Sequence, residues 1–366
     1  MSVMDIFRNP DIEGTAGAPP GNEYDRIGAA LAAAGRAILA DARRGLVSAD
    51  LPPAQAVHEI RKALKRWRAL MRLLEPILGE PADQMRREAR ELMRDLAGAR
   101  DAQACLDALD DLRKSEIALS PTSMASMHGR LTAIRSEAEA RGFSDAMRER
   151  LSRYLDYGLL SLERWPLDDV KFAAIAAALS VTYRRARQLV PEDWGEASAE
   201  HLHDLRRRVV EHRHQMELIE HLWPRLGQLW AEEAQRLRSR LGACQDLFVL
   251  EQMAGPHRPL APWRSRLTPM IVARRAAHVR TASRLAGRLF AEKPKAFRKR
   301  IATLWEHSRP AGNGKDGRHD TIASARKART GKRAKRSGNM AGKTAAKAPP
   351  SATSSRRAPR GKIHSA

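Results

Sequence analysis

A chain of 366 residues is long enough for one large domain or two ordinary ones, each with a real core. Its 66 Lys and Arg against 43 Asp and Glu leave a formal charge of +23, which points to polyanionic partners. Seven Trp, four Tyr and six Phe count against a module that stacks successive bases, and two cysteines, Cys105 and Cys244, exclude a disulfide framework and a zinc ribbon.

Residues 1–22, with Gly14, Gly17 and the pair Pro19-Pro20, read as a flexible leader and show no signal-peptide pattern. Beyond this leader Ala, Leu, Arg and Glu dominate, and β-branched runs are nearly absent, so the body is expected to be all-α. Helices are predicted over 24–45, 54–78, 83–110 and 123–165, the last with a break near Gly142. A second set is predicted over 170–190, 199–222, 226–254 and 265–306, with a break near Pro294. Pro52-Pro53, Pro81, Pro191, Pro224 and Pro256 punctuate these segments. The apolar run at Ala173–Val181 is far shorter than the roughly 20 residues of a membrane span, so no membrane insertion is expected. From Pro310 to Ala366 there are 15 Lys and Arg and only two acids, which reads as a disordered basic tail.

The two sets are copies. At an offset of 145 residues, His58 meets His203, Arg61 meets Arg206, Arg68 meets Arg213 and Asp101 meets Asp246, with 11 identities in 44 gap-free positions. That density marks an internal duplication, with repeat 1 over about 24–165 and repeat 2 over about 170–307 of a body at 23–309.

At 100° per residue, the helix from Gln55 gathers Val57, Ile60, Leu64, Trp67, Met71 and Leu74 into a core stripe. His58, Arg61, Lys62, Lys65, Arg68 and Arg72 gather on the other side, with only Glu59 to neutralise them between Val57 and Leu74. The next helix adds Arg87, Arg90 and Arg94, and places Asp101 where its carboxylate can orient His58 or a neighbouring Arg. Repeat 2 offers His203, Arg206, Arg207, Arg213 and His214, with Asp246 as the matching acid. A lone basic stripe is usually a solvated face; a His at one fixed place in both copies, each followed by Asp 43 residues later, is not required by a surface helix.

The segments VHEIRKALKRWRALMRLLEP, GARDAQACLDAL, LHDLRRR and LGACQDLFVLEQM resemble the CHAD family, the conserved histidine α-helical domain, over roughly residues 24–307. The resemblance implies two four-helix bundles related by a pseudo-two-fold axis, and a basic surface that binds inorganic polyphosphate without catalysis. Carried over residue by residue, it implies His58, Arg61, Lys62, Lys65, Arg66, Arg68, Arg72, Arg87, Arg90 and Arg94, then His203, Arg206, Arg207 and Arg213. Lys293, Lys295, Arg298 and Arg300 are further candidates near the end of the body. Repeat 2 departs from the pattern, because Val210 and Glu211 stand opposite Lys65 and Arg66, so its share of binding is expected to be weaker.

Other motifs do not hold. Glu137-Ala-Glu139-Ala-Arg141 has Arg where a triphosphate-tunnel strand needs Lys, and it sits in a helical stretch. Gly338 to Thr344 has one residue too few for a phosphate-binding loop. The pairs His201/His203 and His212/His214 point about 200° apart on a helix, so neither chelates a metal. No catalytic set, metal or cofactor is expected. The expected setting is the cytoplasm at polyphosphate granules; a nucleoid or RNA-binding role through body and tail is the alternative.

Overall fold

Gly79 marks a sharp turn of the chain. Its φ of 68° lies where residues with a side chain are strained, and it turns the end of one helix into the start of the next. In the computed structural model, which describes residues 27–48, 50–97, 100–114 and 119–308, every regular element among those residues is helical. The leader and the basic tail lie outside the described residues.

The first repeat holds α1 (Ile27–Val47), α2 (Pro53–Leu78), α3 (Glu80–Asp95), α4 (Arg100–Arg113), α5 (Pro121–Gly142) and α6 (Asp145–Arg164). The second holds α7 (Phe172–Gln188), α8 (Ala199–Leu218), α9 (Pro224–Met253), α10 (Arg264–Leu289) and α11 (Pro294–Ser308). The 145-residue offset carries Ile27 onto Phe172 and Pro53 to within one residue of Ala199, so the duplication holds element by element. The breaks near Gly142 and Pro294 fall where the proline and glycine pattern puts them. One expected helix is two: the segment over 83–110 ends at Asp95 and restarts at Arg100, whereas its counterpart α9 is continuous.

Two apolar cores result. The larger takes Ile60, Leu64, Trp67, Met71 and Leu74 of α2 together with α1, α3, α6, α7, α8, α11, the first half of α9 and the end of α10. The smaller joins Cys105, Leu109 and Leu112 of α4 to Met127 and Leu131 of α5, Leu247 and Leu250 of α9, and Leu267 to Ile271 of α10. Both cores therefore draw on both repeats. Buried hydrogen bonds fix the register within the larger one. Trp67 Nε1 donates to Tyr154 Oη at 2.7 Å, Tyr154 Oη donates to the Met85 carbonyl at 2.7 Å, and Gln215 Nε2 of α8 donates to the Ala69 carbonyl of α2 at 3.1 Å. Where α2, α4, α5, α8 and α9 meet, they leave a cavity.

Candidate polyanion-binding site

The cavity has a volume of about 930 Å³. From α2 it receives His58, Arg61 and Lys65, from α4 Arg100, from α8 Arg206 and from α9 Arg238 and Asp246. Arg61, Lys65, Arg68 and Arg72 follow one another at i, i+4, i+7 and i+11, which keeps them on a single face of α2, and all four are half-buried.

Each guanidinium is held in its own way. The break after Asp95 leaves the Met93 carbonyl without a helical partner, and Arg61 Nη1 donates to it, a cation at the negative end of α3. The counterpart helix α9 runs on unbroken and offers no such carbonyl. There Gly242 leaves room for Arg206 to lie against the helix; a Cβ at that position would stand 3.3 Å from Arg206 Nε. Arg206 Nε is buried with no hydrogen-bond partner.

The cations outnumber their counter-charges. Burial, and then the fields of Arg61, Arg238, Arg206 and Arg100, lower the Lys65 ammonium to about 8. Burial lowers Arg206 to about 10, with Arg238 and Arg100 pressing the same way. Asp246 is pushed up to about 6 by burial, against the pull of Arg206. No ion pair among the described residues satisfies Lys65, Arg100, Arg206 or Arg238, so a polyanion entering the cavity would meet charge that the fold leaves uncompensated.

Several expected residues lie elsewhere. Arg66 turns to α1 and pairs with Asp41 at 2.6 Å, while Lys62 pairs with Glu59 at 3.3 Å. Arg87 is taken up by Glu80 and Asp83. Arg213 binds Gln235 at 2.7 Å and Glu217 at 2.7 Å. Arg72 is held by Glu75 at 2.6 Å and by Glu211 at 3.4 Å, so Glu211 anchors α8 to α2 instead of facing a ligand. Arg68 sits beside the cavity in the fields of Arg207, Arg86 and Arg90, and burial lowers it to about 10. Arg207 is shared with Asp204 at 3.1 Å, and Arg90 and Arg94 are exposed without an ion pair among the described residues. Lys293, Lys295 and Arg298 are exposed around the start of α11, and Arg300 pairs with Glu292.

The two acids are placed differently. Asp101 is exposed in the first turn of α4, and no hydrogen bond joins it to His58 among the described residues. Asp246 faces Arg206, Arg100 and Arg238, and His203 keeps an unpartnered Nδ1. His201 Nε2 is bonded to the Leu189 carbonyl at 2.9 Å, and no group of three or more His, Cys, Asp or Glu is placed to hold a metal among the described residues. Arg100 and Arg238 escaped the sequence reading. Their counterparts at the 145-residue offset are Gln245 and Met93, so the repeat that singled out the other residues passes over them.

The pattern of the CHAD domain matches residues 29–255, more than half of the chain. The chain belongs to the CHAD family. The CHAD match ends just beyond α9, and α10 and α11 continue the fold past it. PptA from Streptomyces chartreusis is structurally similar at 17% identity and a TM-score of 0.53, covering 72% of this chain and 99% of that one. The CHAD domain of the plant Ricinus communis gives 16% identity and a TM-score of 0.49, covering 82% of this chain and 97% of that one. No curated protein matches. No helix among the described residues is long and apolar enough to cross a membrane.

Proposed function

We propose that this CHAD protein binds inorganic polyphosphate, without catalysis, in the cavity where α2, α4, α8 and α9 meet. The observation that supports this is the convergence of Arg61, Lys65, Arg100, Arg206 and Arg238 on one cavity, with no ion pair to any of them among the described residues. A phosphate chain supplies a charge-assisted acceptor at every unit, and each contact with the half-buried Arg61, Lys65, Arg206 and Arg238 is worth roughly 1.5–3 kcal/mol. The core of the site is thus His58, Arg61, Lys65 and Arg206 of the expected set, joined by Arg100 and Arg238, with Arg68, Arg207 and Arg90 at its margin. Association with polyphosphate granules is the cellular setting that this reading implies.

The deciding experiment is a competition of labelled polyphosphate against duplex DNA of equal charge, on the full chain and on Arg61→Glu with Lys65→Glu. Polyphosphate should win on the parent protein and lose most of its affinity on the variant, while helicity by circular dichroism is unchanged. Equal competition by DNA, or a variant that binds as before, would sink the reading.

A further inference from the structure

The lining of the cavity carries two unlike chemistries. One is that of Arg61, Lys65, Arg100, Arg206 and Arg238. The other is formed by Ala104 and Ala108 of α4, Ala138 of α5 and Phe143, whose ring is covered on one side by Arg148 at 3.9 Å. Most of the polar groups beside these residues are already engaged, Asp111 and Glu139 by arginines and Asp107 by an amide alone. Gln103 donates to Asp107 at 2.8 Å, Arg135 donates to Gln103 at 2.8 Å and pairs with Glu139 at 3.4 Å, and Asp111 is gripped by Arg274 at 2.6 Å.

A phosphate chain continuing in that direction would leave those five cations and meet Asp107, a carboxylate with no ion pair among the described residues. A ligand that is anionic at one end only avoids this. Its other end should be flat and largely uncharged, to lie on the alanines and Phe143, and should carry hydroxyl or amino donors for Asp107 and the Gln103 carbonyl. The volume, about 930 Å³, is that of a small-molecule site. We infer that the cavity binds a nucleoside polyphosphate, its phosphates on Arg61, Lys65, Arg100, Arg206 and Arg238 and its sugar and base on the α4–α5 wall. This inference rests on the reading that the cations hold phosphate, and it adds a second ligand class to that site.

The test is calorimetric titration of the full chain, free of divalent cations, with ATP and with inorganic tripolyphosphate. The inorganic ion carries more charge, so charge alone favours it. Stacking and hydrogen bonding of the nucleoside should instead make ATP the tighter ligand by about tenfold. Phe143→Ala or Gln103→Leu should bring ATP down toward tripolyphosphate, and because the ratio is what is read, a general loss of fold does not imitate it. Tripolyphosphate binding as tightly as ATP, or a ratio unchanged in both variants, would overturn the inference and leave polyphosphate binding standing. Failure of tripolyphosphate, ATP and polyphosphate alike would remove the phosphate reading itself.

Discussion

Lys65 holds its proton less firmly than an exposed lysine, because burial and the surrounding guanidiniums bring it to about 8. A polyanion beside it favours the charged form and raises that value again. Below pH 8 the ammonium is already charged and binding costs no proton; above it, binding must take one up. Affinity for long polyphosphate, whose internal phosphates do not titrate in this range, should therefore fall as pH rises beyond 8, by up to about tenfold per unit for one linked proton. Lys65→Arg should remove this dependence. Titrations between pH 7 and 9.5 in buffers of different ionisation enthalpy measure it, and an identical pH profile in the variant would show that Lys65 is not at the ligand. A second residue acts on stability alone. His212 is fully buried among Tyr183, Trp230, Phe290 and Phe297, with neither ring nitrogen partnered, and burial lowers it to about 3. The unfolded chain binds a proton below its ordinary value near 6.5 and the folded chain does not, so stability is complete above about pH 6.5 and declines as pH falls toward 3. At pH 5 the loss amounts to about 2 kcal/mol. Its counterpart in repeat 1 is Trp67, which has no such titration. Denaturant titrations at pH 5 and pH 7.5 should show the difference shrink in His212→Phe; a difference of the same size in the variant would place the acid sensitivity elsewhere.

At the level of helices, the duplication places Arg61 and Arg206 at equivalent positions and the break in α3–α4 makes them unequal. Arg61 spends part of its guanidinium on the Met93 carbonyl, while Arg206 rests on Gly242 with Nε unpaired. The less committed cation has more to give an incoming phosphate. Arg206→Gln should therefore weaken polyphosphate binding at least as much as Arg61→Gln, and Arg87→Gln, whose guanidinium is already neutralised by Glu80 and Asp83, should change it little. Filter-binding affinities of the three variants decide this; a large loss for Arg87→Gln would move the site to the outer face of α3. This reverses the weighting that the sequence suggested. Composition shows only that Val210 and Glu211 thin out the basic stripe of α8. It cannot show that Glu211 is spent on Arg72 and Arg208, or that Arg238, one helix away, brings a positive charge to the same cavity. Periodicity made the faces of α2 legible, since a core stripe and its opposite are fixed by 3.6 residues per turn. It does not say which neighbour each long side chain reaches, and Arg66, adjacent to Lys65 in sequence, reaches Asp41 on α1 instead.

For the molecule as a whole, the offset between the repeats was readable because the pairs from His58 to Asp101 keep their spacing without a gap, and the helices keep the same register. The sharing of both cores between the repeats was not, because it depends on which exposed apolar edge of one copy meets the other. That sharing bears on where the charge works. Among the described residues, Arg61, Lys65, Arg100, Arg206 and Arg238 come to the cavity from α2, α4, α8 and α9, and Lys114 and Arg135 line it as well. We propose that residues 23–309 fold and bind polyphosphate by themselves, and that the tail adds attraction of lower selectivity. For a flexible chain held by five cations, log K should fall linearly with log salt with a slope of roughly −3 to −4, and the tail should steepen it in the full protein. Removing 310–366 should then cost affinity at low salt and progressively less as salt is raised, with the preference for polyphosphate over DNA growing as the tail's contribution is lost. Titrations of both forms across a salt series would measure this, with melting curves to confirm that the shortened chain is folded. A folded body that binds nothing at moderate salt, beside a tail peptide that does, would mean that the cavity is not where the polyanion is held.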